Sequence, residues 1–218
     1  MRGWRINIHF VFKLPINVHI DNLIDHLRIV SWEASEILLN YSQMLKNPTY
    51  KKEIIRSKSN EDPVTLADLS VNNLIIQSLN NNFKDVDWDI LSEENVKINT
   101  FKFNSNTEWL WLLDPLDGTR DFIQGTGNYA MHLALNYKQK PYIGIVLIPE
   151  KNELWISCGE KLTCERKDGS KKVIELSRKK NLNDMTLVTS KNHRNENLEN
   201  LINKIQFKEK IIMGSIGM

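Results

Sequence analysis

The sequence predicts an α+β protein in which amphipathic helices are layered on a sheet. Two observations indicate the helices: apolar residues recur at intervals of three and four from Asp21 to Tyr41, and a capping-box pattern begins at Thr65. A third indicates the sheet, because the later apolar runs are too short for helices and are separated by turn-forming residues. With 218 residues, the chain can bury one sizeable core.

Composition excludes several classes of protein. The formal net charge is only +2, from 29 basic and 27 acidic side chains, so no global positive field favours a nucleic acid polymer as a partner. Cys158 and Cys164 lack the companion residues of a disulfide framework or a zinc site, which favours a reducing cytoplasm. No apolar run approaches the roughly 20 residues that span a bilayer.

Residues 1–20 are predicted to be a leader with little fixed structure. Their apolar stretch from Ile8 to Leu14 is interrupted by Lys13 and followed by Pro15. A signal-peptide core therefore does not develop. The ordered domain is predicted to begin at residue 21.

The first half of the domain contains two predicted helices and a connection. The helix from Asp21 to Tyr41 carries one apolar face, which must pack against another element. The polar, lysine-rich stretch from Asn47 to Asp62 is predicted to be a loop or an exposed hairpin. The second helix is predicted to begin at Thr65 and to end at the polar run from Asn80 to Asn82.

Short apolar runs predict the strands of the sheet. Trp88 to Leu91 is a plausible buried strand, and Trp109 to Leu113 has the length and composition of a central one. Three further runs form a predicted meander: Asn128 to Tyr137, Pro141 to Ile148 and Glu153 to Ser157. Weaker patterns predict two more strands and a helix: Lys172 to Leu176, Thr186 to Thr189, and Leu198, Leu201, Ile202 and Ile205.

Two carboxylates, Asp114 and Asp117, follow the predicted central strand. Hard divalent cations such as magnesium prefer oxygen ligands, and two carboxylates on a sharp turn can converge on one metal site. Pro115 fixes a backbone angle of this turn, and the carbonyl of Leu116 faces the same space. The pair Gly118-Thr119 then offers backbone N–H groups at a potential helix start, where phosphate is favoured.

Each of these features also has a purely structural interpretation. An Asp-Pro-x-Asp-Gly segment is a common surface turn, although here it follows a very apolar strand. The acid pair Glu93-Glu94 could be a solvated surface, and Asp68 could simply cap its own helix. His132 is interpreted as packed within a strand, and His193 as exposed in a polar turn.

Nucleophilic side-chain catalysis has little support in the sequence. No serine lies in a nucleophile-elbow pattern, and Cys158 has no evident base. Water activated by a metal is therefore the better candidate for the attacking group.

Three ordered motifs resemble the inositol monophosphatase superfamily. They are Asp62 to Asp68, Leu91 to Glu94, and Trp111 to Thr119 with Phe122 following. Within that superfamily, three segments are most similar to the 3'(2'),5'-bisphosphate nucleotidase branch: Ser92 to Glu94, Asp117 to Ile123 and Thr189 to His193.

The resemblance implies a layered α-β-α-β sandwich and a set of site residues. It implies magnesium as cofactor, on the order of two or three ions in an intact member. The implied metal ligands are Glu93, Asp114, the Leu116 carbonyl and Asp117. Asp68 and Thr119 match the pair that orients and deprotonates the attacking water, with Glu93 also counted as catalytic. The implied substrate-binding positions are Asp117, Gly118, Thr119, Ser190, His193, Gly214 and Ser215.

Two departures from the family pattern are visible. Arg120-Asp121 stands where the nucleotidases have Lys-Glu, a change that keeps both charges. The chain also stops at Met218, where the family continues to a Trp-Asp motif whose Asp is another metal ligand. The domain over residues 21–218 is therefore expected to lack its C-terminal part.

The expected function is hydrolysis of the 3'-phosphate of adenosine 3',5'-bisphosphate to AMP and phosphate. Inositol-1-phosphate or a sugar bisphosphate is the alternative substrate, because the metal motifs are shared across the family. A shortened, non-catalytic binding homologue is the alternative from another class. The expected location is cytoplasmic, with peripheral attachment at the inner membrane and homodimer formation as options.

Overall fold

The structure is a computed structural model that describes residues 14–56, 63–97, 107–190 and 195–213. Most of the predicted leader lies outside these ranges. Its predicted disorder stays a prediction.

Both strongly predicted helices are confirmed. Helix α1 spans Ile20–Leu45 and buries Leu23, Leu27 and other members of its apolar stripe. Helix α3 spans Leu66–Asn82, and its N-cap Thr65 accepts hydrogen bonds from the backbone of the first turn. The helix ends at Asn82, within the polar run that was predicted to end it.

The prediction of a loop or hairpin after α1 is partly wrong, because Pro48–Ile54 forms a short helix, α2. The Asn47 side chain accepts a hydrogen bond from Thr49 N at 3.0 Å, and Pro48 occupies the first turn, where its missing N–H costs nothing. Only Ile54 of α2 is buried. The segment therefore lacks the apolar stripe by which a helix can be recognised in sequence. Residues 57–62 lie outside the described ranges.

A seven-stranded sheet forms the centre of the fold, in the spatial order β1 to β7. Its strands are β1 Asp89–Ser92, β2 Trp109–Asp117, β3 Ala130–Tyr137, β4 Lys140–Ile148, β5 Glu153–Cys158, β6 Lys161–Glu165 and β7 Lys171–Val173. Strands β1 and β2 are parallel and all other neighbours are antiparallel. The predicted meander is therefore confirmed, while β6 was not predicted. The early strands are also confirmed, although β2 continues through the segment that was expected to be a turn.

Helices α1 and α3 cover one face of this sheet. Trp111 and Leu113 of β2 point into the core beneath them and are buried. The intervening Leu112 points to the opposite face, because side chains alternate along a strand. The sheet therefore has one face packed against helices and a second face that can line a site.

Three further α-helices and a second sheet follow in the described ranges. One-turn helix α4, Glu93–Lys97, follows β1, and α5, Thr119–Gln124, follows β2. The remaining elements are β8 Thr186–Ser190, α6 Glu196–Lys204 and β9 Glu209–Met213, with β8 and β9 paired in parallel. The sequence predicted β8 and α6 but not β9. No helix in the described ranges is long and apolar enough to cross a membrane.

Candidate active site

A β-bulge in β2 places the two aspartates of the central motif. Asp114 pairs with His132 of β3, and Asp117 pairs with Ala130. Two residues of β2 therefore oppose one residue of β3 between these pairs. Pro115 lies in this interval and has no N–H for the ladder. Asp114 Oδ1 accepts a hydrogen bond from Leu116 N at 3.1 Å, which holds the bulge in shape.

Glu93 meets Asp114 because β1 and β2 are parallel neighbours. Ser92 pairs with Leu113, so the next residue on each strand lies at the same edge of the sheet. The pKa of Asp114 is raised to about 8, by burial first and then by the charge of Glu93, a hydrogen bond with it and the charge of Asp117. The strand ends therefore concentrate negative charge that a bound cation would relieve.

Asp68 divides its two carboxylate oxygens between its own helix and the candidate site. Oδ2 accepts hydrogen bonds from Thr65 N at 2.7 Å and Thr65 Oγ1 at 2.6 Å. Oδ1 accepts from Thr119 Oγ1 at 3.3 Å. The capping interpretation of Asp68 is therefore confirmed, and the same side chain also faces the site.

Burial dominates the electrostatics of Asp68. It raises the pKa of this carboxyl to about 6, against the opposing effect of the Thr65 hydrogen bonds and with a further contribution from Glu94. The adjacent acids Glu93 and Glu94 thus act on different carboxylates: Glu93 on Asp114 and Glu94 on Asp68.

Thr119 connects this helix cap to the bulge. Its Oγ1 lies 3.0 Å from the Leu116 carbonyl oxygen as well as 3.3 Å from Asp68 Oδ1. A hydroxyl has one proton, so it donates to one of these acceptors at a time and keeps lone pairs free to accept. Gly118 precedes it with φ of 86°, in the left-handed region that glycine adopts without steric cost.

His132 lies beside the acids, although the sequence indicated only a packed residue. Its Nε2 is 3.9 Å from Asp117 Oδ2. This nitrogen is buried and has no hydrogen-bond partner within the described part of the chain. Burial lowers the pKa of His132, with Asp117 opposing. The sequence could have indicated His132 only if it were known to lie opposite Asp114. That requires the β2–β3 register, which the sequence does not show.

A groove of about 530 Å³ opens on the sheet face opposite the helices. Glu93, Asp114 and His132 contribute its polar end. Its apolar wall includes Leu112, Ala134 and Val146. Because the polar end carries two carboxylates, it suits a cation, while the apolar wall suits an uncharged part of a ligand.

The predicted substrate-binding residues are only partly brought together. Asp117, Gly118 and Thr119 are contiguous at the bulge. Ser190 ends β8 in the second sheet and is not among the residues that line the groove. His193, Gly214 and Ser215 lie outside the described residues.

The predicted metal ligands supply oxygen atoms only. Carboxylates and a backbone carbonyl are the donors that magnesium prefers, and the crowding of Glu93 and Asp114 favours a cation between them. Within the described ranges, however, three or more acidic, His or Cys side chains are not gathered in one ready-made ligand group. The donor set fits magnesium by chemistry.

Comparison with known proteins gives a consistent set of relatives. The inositol monophosphatase family profile matches residues 19–215. The 3'(2'),5'-bisphosphate nucleotidase CysQ of Buchnera aphidicola is 30% identical over 80% of this chain and 60% of its own length. That of Escherichia coli K12 is 28% identical over 73% of this chain and 61% of its own length. The chain therefore spans about 60% of the length of these relatives.

A solved structure shows the same fold. CysQ from Bacteroides thetaiotaomicron, described as a bacterial member of the inositol monophosphatase family, superposes with a TM-score of 0.67. The match covers 90% of this chain and 74% of that protein at 22% identity. The predicted layered α+β fold class is confirmed by this likeness.

Proposed function

Because this chain belongs to the inositol monophosphatase family, we propose that it is a magnesium-dependent phosphomonoesterase that hydrolyses the 3'-phosphate of adenosine 3',5'-bisphosphate. The products are AMP and phosphate. The observation that carries the proposal is the convergence of Asp68, Thr119 and the acids Glu93 and Asp114 at one end of the sheet. The choice of a nucleotide rests on the nucleotidase relatives.

The cation site of this proposal is formed by oxygen donors from two neighbouring strand ends. Glu93 opens α4 directly after β1, and Asp114, the Leu116 carbonyl and Asp117 come from the bulge in β2. Magnesium bound there would neutralise phosphate charge and acidify the attacking water. The donors of β2 lie on a strand that is fixed by the core and Glu93 directly follows another such strand, so little reorganisation of the backbone is required.

Thr119 and Asp68 are the proposed residues for water activation. Thr119 Oγ1 can donate its proton to Asp68 Oδ1 and accept one from water through a free lone pair. Asp68 is held for this role by Thr65, which occupies its other oxygen. A base that is hydrogen-bonded and oriented in this way is the usual arrangement for general-base catalysis.

Phosphate and nucleotide recognition complete the proposal. The backbone of Gly118 and Thr119 is proposed to hold the scissile phosphate. Ser190, His193, Gly214 and Ser215 are proposed to contact the nucleotide and its second phosphate. A cytoplasmic location is part of the same proposal.

The test is phosphate release by the purified full chain with magnesium. Adenosine 3',5'-bisphosphate, inositol-1-phosphate and fructose-1,6-bisphosphate would be compared at matched concentrations. The proposal expects the highest kcat/KM on the nucleotide, and equal or better hydrolysis of inositol-1-phosphate contradicts the substrate choice. If no substrate is hydrolysed, titration calorimetry with millimolar magnesium and the nucleotide separates a non-catalytic binding protein from one without a site.

A further inference from the structure

His132 is a polar group of the site to which the proposed chemistry assigns no role. It stands directly across the β2–β3 ladder from Asp114. Directly opposed residues of an antiparallel pair lie on the same sheet face, with Cβ atoms about 5 Å apart. The imidazole therefore points into the same groove as the Glu93 and Asp114 carboxylates, which line it together with His132.

The imidazole Nε2 is shielded but unsatisfied. It is buried and has no hydrogen-bond partner among the described residues, an arrangement that costs free energy unless something binds the nitrogen. Asp117 Oδ2 lies 3.9 Å from it, which is beyond the hydrogen-bond limit of about 3.2 Å. A direct histidine–aspartate hydrogen bond therefore does not explain the position of this side chain.

The same separation suits two ligands of one cation. Two atoms bound at about 2.1 Å from a metal lie about 3.0 to 4.2 Å apart as the angle between the two bonds opens from about 90° to 180°, and the 3.9 Å between Nε2 and Oδ2 falls in the wide-angle part of that range. Imidazole nitrogen is a preferred ligand for zinc, iron and other transition metals and a poor one for magnesium. An oxygen site with one imidazole at its wall would thus bind two classes of divalent metal differently.

We propose that His132 Nε2 is a ligand for a divalent transition metal at the site of Asp114 and Asp117, and that it gives this site a mixed nitrogen and oxygen donor set. The inference rests on the proposed function, because it uses the same cation site. It adds that transition metals such as manganese and cobalt occupy the site with direct coordination by the imidazole. Magnesium occupies it through the oxygen donors alone.

Manganese provides a spectroscopic test that does not depend on activity. The full chain would be loaded with Mn²⁺ and studied by pulsed electron paramagnetic resonance. The expected result is the modulation of a directly coordinated imidazole ¹⁴N, which changes to the ¹⁵N pattern when the protein is grown with ¹⁵N-histidine. His132→Asn should remove the signal, whereas His19→Asn, a change at the exposed N-cap of α1, should retain it.

Affinity measurements provide a second readout. Removing one ligand should weaken Co²⁺ binding to the His132→Asn variant by at least about tenfold, the loss that follows removal of even an indirect partner of a metal. Mg²⁺ affinity should stay within about twofold, because oxygen donors remain. Circular dichroism of His132→Asn and of His132→Gln would show that each variant is folded, and the isotope experiment needs no substitution.

The possible outcomes distinguish a failure of this inference from a failure of the proposed function. Tightly bound Mn²⁺ without a coordinated ¹⁴N overturns the role of His132 and leaves the proposed phosphatase site intact. A chain that binds neither Mn²⁺ nor Mg²⁺ at millimolar concentration overturns both. A ¹⁴N signal that persists in His132→Asn also overturns the inference, since another nitrogen must then be the ligand.

Discussion

Asp68 Oδ1 accepts a hydrogen bond from Thr119 Oγ1 at 3.3 Å, which joins helix α3 to the start of α5. The partner oxygen, Oδ2, is occupied by Thr65. One carboxylate therefore holds a helix start and faces the candidate site at the same time. This division makes separate predictions for stability and for activity.

Asp68→Asn should lower both the free energy of unfolding and kcat. The amide nitrogen cannot accept the Thr65 bonds if it replaces Oδ2, and the cap should weaken by about 1–2 kcal/mol. Loss of the proposed base should lower kcat by about 10²–10⁴-fold. Urea unfolding and steady-state phosphate release would measure the two effects. Thr65→Ala is the matched control, because it weakens the same cap while leaving the carboxylate, and a kcat loss as large as that of Asp68→Asn would assign the effect to the cap.

Thr119→Val should remove the hydroxyl with little change of volume. We expect kcat to fall by about 10²-fold or more with KM near its original value, because the lost interaction acts on the attacking water. Thr119→Ser keeps the hydroxyl and should restore most of the rate. A loss in Thr119→Ser as large as that in Thr119→Val would contradict the prediction, because the hydroxyl alone would then not account for the rate.

Glu93→Gln should weaken magnesium binding without destabilising the metal-free protein. In the metal-free protein it removes a like charge beside Asp114, so the melting temperature should hold or rise. The increase in melting temperature that magnesium gives the unmodified protein should largely disappear, because that increase measures binding to the folded state. Scanning fluorimetry with and without magnesium checks this. Glu94→Gln is the neighbouring control, since Glu94 acts on Asp68 instead, and it should keep the magnesium-dependent increase.

Glu165→Gln should expose a pH-dependent contribution to stability. Burial alone would raise the pKa of Glu165, but hydrogen bonds from Arg28 and Lys171 outweigh it and lower the pKa below its usual value. The ion pair therefore makes its full contribution to the free energy of unfolding above the unfolded-state pKa of about 4.3. That contribution is lost as pH falls through the lower pKa of the folded state. We expect a loss of about 1–2 kcal/mol at pH 7 that shrinks towards pH 3.

Urea unfolding at both pH values measures that loss. Glu36→Gln, which removes an exposed ion pair with Lys167, should cost less than about 0.5 kcal/mol. A Glu165→Gln effect that is unchanged at pH 3 would contradict the ionic explanation.

Patterns that the sequence displays locally were predictable. The apolar stripe of α1 and the capping box at Thr65 are each contained in one element, and the structure confirms both. Helix α2 and strand β6 were missed for a physical reason. The first buries only one residue, and the second is largely half-exposed and lies near the sheet edge, so neither has the periodic burial that identifies an element.

The residues of the candidate site likewise fall into those that the sequence indicates and those that it does not. Asp114 and Asp117 could be selected from their motif, and the structure puts them on one bulge. The roles assigned to them stay predictions. His132 could not be selected, because its place beside Asp117 depends on the β2–β3 register. For Asp68, the cap and the site competed as explanations in the sequence, yet each uses a different oxygen of the carboxylate in the folded chain.

The double use of Asp68 has an evolutionary consequence. A lineage that no longer needed the chemistry would still be selected to keep this aspartate, because a protein with a frayed α3 is degraded sooner. The presence of Asp68 in a descendant protein is therefore weak evidence that this protein is an enzyme. Thr119 caps no helix with its side chain, so drift should erase it earlier. Related genes that retain Asp68 and have lost Thr119 are the ones to suspect of having abandoned catalysis.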